Sequence, residues 1–253
     1  MDAIGLTELI APPQRGRIFR QGVRPGIADC APSGRVRLDA LARWLQDIAY
    51  ADVDDAGLAS AAAWVVRRTR IRVRGFPQFG QRFTLATFCS GIGRMWAERR
   101  TMIACDGHPH ALVDAVSLWV HLDSANWRPR PFADDEIAVY GDAAAGRQVS
   151  ARLRHPAAPA TDRRSDWTFR ACDCDVAGHV NNAAYWQPLE EELLGEREPT
   201  RIDAEIEFRA PAGPGEKLVV SDGDRRWIVS PQGETHAALL IATRTGHDTD
   251  APE

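Results

Sequence analysis

The residues with the clearest chemical potential lie between positions 173 and 186, where the chain reads Asp-Cys-Asp-Val-Ala-Gly-His-Val-Asn-Asn-Ala-Ala-Tyr-Trp. Asp175 and His179 pair a carboxylate with an imidazole, groups that can activate water and transfer its proton near neutral pH. Gly178 lets a substrate approach the backbone closely. Amides at the start of a helix favour a developing oxyanion. We therefore expect Asp175 and His179 to act on a carbonyl group that the amides from Gly178 to Asn181 bind.

Three neighbouring residues complete the predicted binding segment, namely Val180, Asn181 and Asn182. The two carboxamides can cap a helix or bind polar groups of a substrate. A purely structural role is the alternative for each side chain, and for Asn182 it is the favoured one. The Cys-x-Cys pair at 172–174 has no second Cys or His pair at zinc spacing, so we predict no metal and no cofactor.

A weak internal duplication indicates which elements position this segment. Residues 34–47 can be laid over 178–191, and residues 70–85 over 205–220. The offset falls from 144 to 135 because the second copy has a shorter connection between its helix and its strands. Each copy is therefore predicted to be a strand, a helix and then several strands.

The first copy shows the pattern more clearly. Apolar residues at helical spacing begin at Leu38, and Gly57 is a plausible end of the helix. Strand-like runs follow at 64–74, 82–89, 95–104 and 111–122. A helix followed by a meander without βαβ units is typical of an antiparallel α+β fold. The predicted boundaries are 15–140 for the first unit, 141–165 for a loosely ordered linker and 166–245 for the second.

Four arginines alternate along the first predicted strand, at positions 68, 70, 72 and 74. They could attract an acidic partner or cover a solvated sheet face. The net charge of −4 argues against nucleic acid as a partner, and the chain has no run of roughly 20 apolar residues that could span a membrane. The N-terminus lacks the pattern of a signal peptide, and the five cysteines are an odd number, so we expect a cytoplasmic protein without a disulfide framework.

The segment at 173–186 resembles the Asp-x-Asp-x-x-Gly-His-Val-Asn-Asn-x-x-Tyr signature of hot-dog thioesterases, in particular the acyl-acyl-carrier-protein (acyl-ACP) thioesterases. Stretches at 64–68, 76–80, 91–99 and 119–131 look like the first half of that family. The resemblance implies a tandem hot-dog in which two antiparallel sheets each wrap a long helix. It also implies a cofactor-free hydrolase that releases a fatty acid from the phosphopantetheine thioester of an acyl carrier protein.

The resemblance also assigns different roles to the two copies. The first copy has Arg35 where the second has His179, so only the second copy should be catalytic. The first copy should instead help to build the acyl tunnel, with Tyr185 and Trp186 packing in the core or lining that tunnel. Since a duplicated chain supplies the pairing of two hot dogs internally, either a monomer or a homodimer is expected.

Three positions depart from the pattern of the plant members of the family. Ala177 replaces an asparagine, and Pro211 and Ala212 replace a glutamate and a cysteine. Neither proline nor alanine can act as a base or nucleophile, which excludes a cysteine mechanism. Three interpretations follow: Asp175 and His179 suffice with water, another acid substitutes, or the chain binds acyl groups without hydrolysis. The candidate substitute acids are Glu191, Glu205 and Glu207. Acyl-coenzyme A is the alternative substrate.

Overall fold

A computed structural model of the chain describes residues 6–59, 63–195 and 198–244. The three helices are α1 (Leu38–Asp55), α2 (Asp134–Ala144) and α3 (Gln187–Gly195). The ten strands are β1 (Phe19–Val23), β2 (Ala63–Val73), β3 (Phe83–Ile92), β4 (Trp96–Cys105), β5 (Ala111–Leu122), β6 (Arg164–Phe169), β7 (Arg201–Phe208), β8 (Gly215–Asp222), β9 (Arg225–Val229) and β10 (Thr235–Arg244). None of these helices is long and apolar enough to cross a bilayer.

All ten strands form one antiparallel sheet in the order β1-β3-β4-β5-β2-β7-β10-β9-β8-β6. The two predicted sheets are therefore joined, because β2 of the first copy pairs with β7 of the second, with Thr69 opposite Ile206. Without this pairing, β2 and β7 would each present an edge of unpaired amides and carbonyls. The pairing satisfies both edges and places the two copies side by side in one sheet.

The long helix expected in each copy occurs only in the first. Helix α1 has 18 residues, and its periodic apolar face, which includes Leu41, Leu45 and Ile48, is buried against the sheet. Its counterpart α3 has nine residues and follows a 3₁₀ turn at Ala184–Trp186. Pro188 explains the late start, since proline has no amide to donate and is tolerated only in the first turn of a helix.

The duplication extends to individual backbone hydrogen bonds. Isolated bridges join Cys30 to Val36 and Cys174 to Val180, which lie at the predicted offset of 144. The amide of Val36 donates to the carbonyl of Pro77 at 2.8 Å, and the amide of Val180 donates to that of Ala212 at 2.9 Å. Pro77 and Ala212 differ by 135, which is the second predicted offset. The two turns are thus built alike.

The alternating arginines of β2 form neither a free basic patch nor a solvated face. Arg68 and Arg70 are buried on the sheet face opposite α1 and α3. Arg70 pairs with Asp203 of β7 at 2.7 Å, and Arg68 lies 4.0 Å from Glu207 of the same strand. Arg72 also pairs with Asp203, whereas Arg74 pairs with Asp114 of β5 in the first copy. The repulsion among the four like charges is therefore compensated by acids of both copies.

The linker crosses this outer face instead of hanging loose. Trp96 in β4 donates its indole N–H to the carbonyl of Val149 at 2.8 Å, and Trp227 in β9 donates to that of Pro156 at 2.9 Å. Between them, the amides of Arg154 and His155 donate to the Glu207 carboxylate at 2.6 and 2.9 Å. Side chains of the sheet thus bind successive linker groups, which fixes a segment that its composition suggested was flexible.

Candidate active site

The segment with the predicted catalytic residues is a tight turn that leads into the 3₁₀ turn before α3. The amide of Asp175 donates to the carbonyl of His179 at 3.0 Å, and the amide of Gly178 donates back to that of Asp175 at 3.0 Å. Gly178 has φ +76°, a left-handed conformation that favours glycine. The side chains of Asp175 and His179 are both exposed at the surface of this turn.

Asp175 is held by neutral donors and not by the histidine. One carboxylate oxygen accepts from the amide of Ala177 at 2.9 Å, and the other accepts from Asn181 Nδ2 at 3.0 Å. Within the described part of the chain, the His179 side chain has no hydrogen-bond partner. The two residues are therefore joined through the backbone, and no hydrogen bond links their side chains among the described residues. The carboxylate remains open to solvent water, which suits a base that acts on water.

Asn181 connects Asp175 to the first copy. Its Nδ2 also donates to Oε1 of Gln46 on α1 at 3.0 Å, and its Oδ1 accepts from the amide of Ala183 at 2.8 Å. The carboxamide is thus saturated and positions its neighbours, whereas we had expected it to bind substrate. Gln46 is a site residue that the sequence did not reveal, because it is one polar residue on an amphipathic helix 129 positions before Asp175.

Most amides of the predicted oxyanion segment are already engaged. Those of Gly178, Val180 and Asn181 donate to backbone carbonyls at 2.8 to 3.0 Å, as the turn geometry requires. The amide of Asn182 has no acceptor among the described residues, and Asn182 is half-buried where the turn meets α1. Among Gly178, Val180, Asn181 and Asn182, only Asn182 therefore has a backbone amide without an acceptor in the described chain, and the amide of His179 in the same turn is also without one.

The position that carries the family cysteine acts here through its backbone. Ala212 is buried; its carbonyl accepts from Val180, and its amide donates to the Tyr185 hydroxyl at 3.1 Å. Burial raises the pKa of Tyr185 to about 12, so the hydroxyl stays neutral. Pro211 is exposed beside it. The two replacements thus remove side-chain chemistry but keep the turn in place.

None of the three candidate substitute acids reaches the turn. Glu205 and Glu207 alternate along β7 with Ala204 and Ile206, which face the helices, so both glutamates lie on the outer face of the sheet. Glu205 accepts from the amide of Thr7 at 2.8 Å there. Glu191 is exposed on α3 and lines neither of the two cavities described below. Of the four acids considered, Asp175 is therefore the one that lies in the turn.

An apolar cavity of about 270 Å³ lies in the first copy. Helix α1, strands β2 to β5 and helix α2 surround it, and its apolar lining includes Ala49, Val53, Trp64, Trp119 and Ile137. Its far wall carries Glu98 and Arg99, which pair with Arg147 and Asp52. A cavity with apolar sides and a charged wall can hold a hydrocarbon chain of limited length.

Gln46 joins this cavity to the turn. It lines the apolar cavity and also a much smaller pocket, which Asn182, Trp119 and Trp186 share. Neither Asp175 nor His179 lines either space. Hydrogen bonds through Asn181 connect Asp175 to Gln46 in the cavity lining, so the candidate site draws residues from both copies of the chain.

The corresponding turn of the first copy is closed. Arg35, at the position of His179, is buried; its guanidinium lies 2.7 Å from the Glu190 carboxylate and 4.7 Å above the ring of Phe76. The second oxygen of Glu190 accepts from the amide of Leu38 at 2.9 Å. Leu38 and Glu190 stand at the offset of 144 from Asn182 and Gln46, respectively. In the first-copy turn, the Leu38 amide thus donates to the Glu190 carboxylate, whereas the equivalent amide of Asn182 in the second copy has no acceptor among the described residues.

Comparisons with known proteins identify the family of the chain. Residues 18–140 match the acyl-ACP thioesterase N-terminal domain, and residues 157–250 match the C-terminal domain. Two uncharacterized proteins of Mycobacterium tuberculosis, from strains CDC 1551 and H37Rv, are each 27% identical over 218 residues, which cover 84% of this chain and 85% of each relative.

Solved structures share the fold at low sequence identity. A Lactobacillus plantarum protein assigned as an oleoyl thioesterase has a TM-score of 0.75 at 20% identity, covering 93% of this chain and 99% of its own. The 12:0-ACP thioesterase of Umbellularia californica has a TM-score of 0.71 at 17% identity, covering 96% and 100%. These likenesses confirm the hot-dog architecture. Since the two matched domains cover most of the sequence, the chain belongs to the acyl-ACP thioesterase family.

Proposed function

We propose that the chain hydrolyses fatty acyl thioesters of acyl carrier protein at the turn of the second copy, while the cavity of the first copy holds the acyl chain. Membership of the family makes it a thioester hydrolase. The observation that carries the finer assignment is the relay of hydrogen bonds from Asp175 through Asn181 to Gln46, which links the solvent-exposed carboxylate to the lining of the apolar cavity.

In this proposal Asp175 is the general base. It takes a proton from water while the water oxygen bonds to the carbonyl carbon, and a tetrahedral oxyanion forms. The intermediate then breaks its C–S bond. The leaving thiolate receives a proton, either from the Asp175 carboxyl group or from His179, and the products are a fatty acid and a free thiol. His179 belongs to the same exposed turn as Asp175, so in this proposal it serves the leaving group.

Purified protein should be tested on a panel of acyl-ACP thioesters of increasing chain length. Asp175→Asn should lower kcat about 10²–10⁴-fold, the range expected for loss of a general base, and His179→Ala should also lower kcat. Val176→Ala is the matched control, because Val176 lies in the same turn and is fully exposed. Wild-type rates in both variants would reject this site.

The same panel on coenzyme A separates the two possible carriers. Faster turnover of the coenzyme A thioesters would favour the alternative substrate class. Tight acyl-thioester binding without any product would favour the non-catalytic alternative.

We also propose that the chain is active as a monomer. The β2–β7 pairing supplies within one chain the contact that brings Gln46 to Asn181, so no second chain is needed to complete the site. Light scattering should therefore give a mass near 27.9 kDa for the active species. Activity that appears only with a mass of twice that value would contradict the proposal.

A further inference from the structure

The two turns of the duplicated chain differ at one helix position in a way that bears on catalysis. Gln46 on α1 faces the second-copy turn, and Glu190 on α3 faces the first-copy turn, at the offset of 144. One position therefore carries a neutral carboxamide and the other a carboxylate. The difference matters because the two side chains lie beside equivalent backbone amides, those of Asn182 and Leu38.

The orientation of the Gln46 carboxamide follows from its neighbours. The amide of Ala183 must donate, so it fixes Oδ1 of Asn181. The Asp175 carboxylate can only accept, so it fixes Nδ2 of Asn181 on the other side. Nδ2 then has one hydrogen left, and Gln46 must present Oε1 to it. The two N–H groups of Gln46 Nε2 have no acceptor among the described residues.

The closed turn shows what such a position can bind. There, a Glu190 oxygen carries negative charge and lies 2.9 Å from the Leu38 amide. In the open turn, the matching Asn182 amide is unoccupied, and Gln46 contributes donors in place of a competing anion. The small pocket that both residues line adjoins the apolar cavity, where the carbonyl end of a bound acyl chain would emerge.

We propose that Gln46 is a catalytic residue contributed by the first copy: its Nε2, together with the Asn182 amide, donates hydrogen bonds to the thioester oxygen as it becomes an oxyanion. The inference rests on the proposed function. It assigns Glu190 the opposite role, since its carboxylate occupies the equivalent site and keeps the first turn from binding a second thioester.

Two variants test the donor. Gln46→Ala removes Nε2 and should lower kcat about 10²–10³-fold, the cost measured for loss of one oxyanion donor. Its KM and its binding of a non-hydrolysable thioether analogue of acyl-ACP should change little, because the donor acts mainly in the transition state. Asp47→Asn, at the next and exposed helix position, is the matched control and should keep the wild-type kcat.

The variant Gln46→Glu tests for a change in the pH dependence of kcat that a purely structural role of Gln46 would not produce. The variant recreates the carboxylate of the closed turn, so its kcat at pH 8 should be at or below that of Gln46→Ala. As the pH falls and the new carboxyl group gains a proton, it becomes a donor, and activity relative to wild type should rise at least tenfold. Gln46→Ala should show no such relative rise. Thermal unfolding of each variant establishes that it is folded.

The outcomes separate the two proposals. An inactive wild type overturns the proposed function and this inference together. An active wild type that loses activity on Asp175→Asn but keeps its full kcat on Gln46→Ala overturns the inference alone, and so does a Gln46→Glu variant whose pH profile follows the wild type.

Discussion

The residue with the most demanding position in the site is Asn181, because one carboxamide satisfies three groups. Its two N–H groups donate to Asp175 and to Gln46, and its oxygen accepts from the Ala183 amide. From its chemistry, Asn181 was expected either to cap a helix or to bind polar groups of a substrate. Its hydrogen bonds make it the connection between the proposed base on one copy and the proposed donor on the other.

We therefore expect Asn181→Ala to impair catalysis without preventing acyl binding. Asp175 and Gln46 would both lose the partner that orients them, and misplacement by about 1 Å can cost roughly 10²-fold in rate. The measurement is kcat and KM on one acyl-ACP substrate, with Val176→Ala as the reference variant. A large rise in KM at unchanged kcat would instead indicate that Asn181 binds substrate directly.

The sequence predicted which segment carries the candidate site, but it predicted the start of a long helix there and did not identify the partners of the turn. Asp175, Gly178 and the asparagines are contiguous, so their turn could be inferred from local chemistry. Gln46 could not, because its role depends on β2 pairing with β7, which brings α1 against a turn far along the chain. A hydrogen bond between the side chains of Asp175 and His179 likewise depended on side-chain directions, and in the structure the Asp175 carboxylate is bonded instead to the Ala177 amide and to Asn181.

Among the elements, helix α2 has a role that its position in the predicted boundary region did not suggest. It spans the proposed end of the first unit at residue 140 and supplies one wall of the apolar cavity through Glu136, Ile137 and Tyr140. A segment that looked like the start of a connector therefore helps to shape the space for the acyl chain.

Filling the cavity from α2 should shorten the preferred substrate. Ile137→Trp adds bulk to the cavity wall, so we expect kcat/KM to fall more than tenfold for the longest acyl chains that the wild type accepts and to change little for the shortest. The assay is a chain-length series of acyl-ACP substrates. Ala138→Trp, at the next and exposed position, is the control. An equal loss at every chain length would show that the cavity does not hold the acyl chain.

The strands were well predicted because the alternation of side chains between the two faces of a strand can be read from the local sequence. The runs expected at 64–74 and 111–122 are β2 and β5 almost to the residue. The single sheet was not predicted, because antiparallel pairing between copies depends on edges whose partners local sequence does not specify. The shortened α3 could have been inferred from Pro188, since proline restricts where a helix begins.

At the scale of the whole molecule, the outer face joins the N-terminal segment, the linker and both copies through buried charge. Glu205 accepts from the Thr7 amide, and its carboxylate lies 3.4 Å from the His155 imidazole. His155, Glu205 and Glu207 each have one nitrogen or oxygen atom that could bind a metal ion, and these three atoms lie within 4.8 Å of one another. Thr7, Arg154 and the amide of His155 already donate to the two carboxylates, so we interpret the cluster as an ion-pair network.

This network should make stability depend on acid. Burial alone would raise the pKa of Glu205, but hydrogen bonds from His155 and Thr7 lower it from 4.5 to about 2. A carboxyl whose pKa falls on folding stabilises the protein above pH 4.5, and that stabilisation is lost as the pH falls towards 2. The difference corresponds to about 3 kcal/mol.

Glu205→Gln should accordingly lower the free energy of unfolding by about 3 kcal/mol at pH 7, and the gap to wild type should narrow below pH 4.5. Urea unfolding at several pH values is the measurement, with the exposed Glu216→Gln as control. A gap that stays constant as the pH falls would show that the charge of Glu205 contributes nothing.

The carboxylate of Glu190 in the first-copy turn has a consequence for stoichiometry. Two hot dogs in one chain suggest two equivalents of ligand, but one of the two turns already holds an anion of the protein. Calorimetric titration with an acyl-ACP thioether should therefore saturate at one molecule per chain, with a single class of affinity. Saturation at two would mean that a ligand displaces Glu190, and the first-copy turn would then be a second binding site.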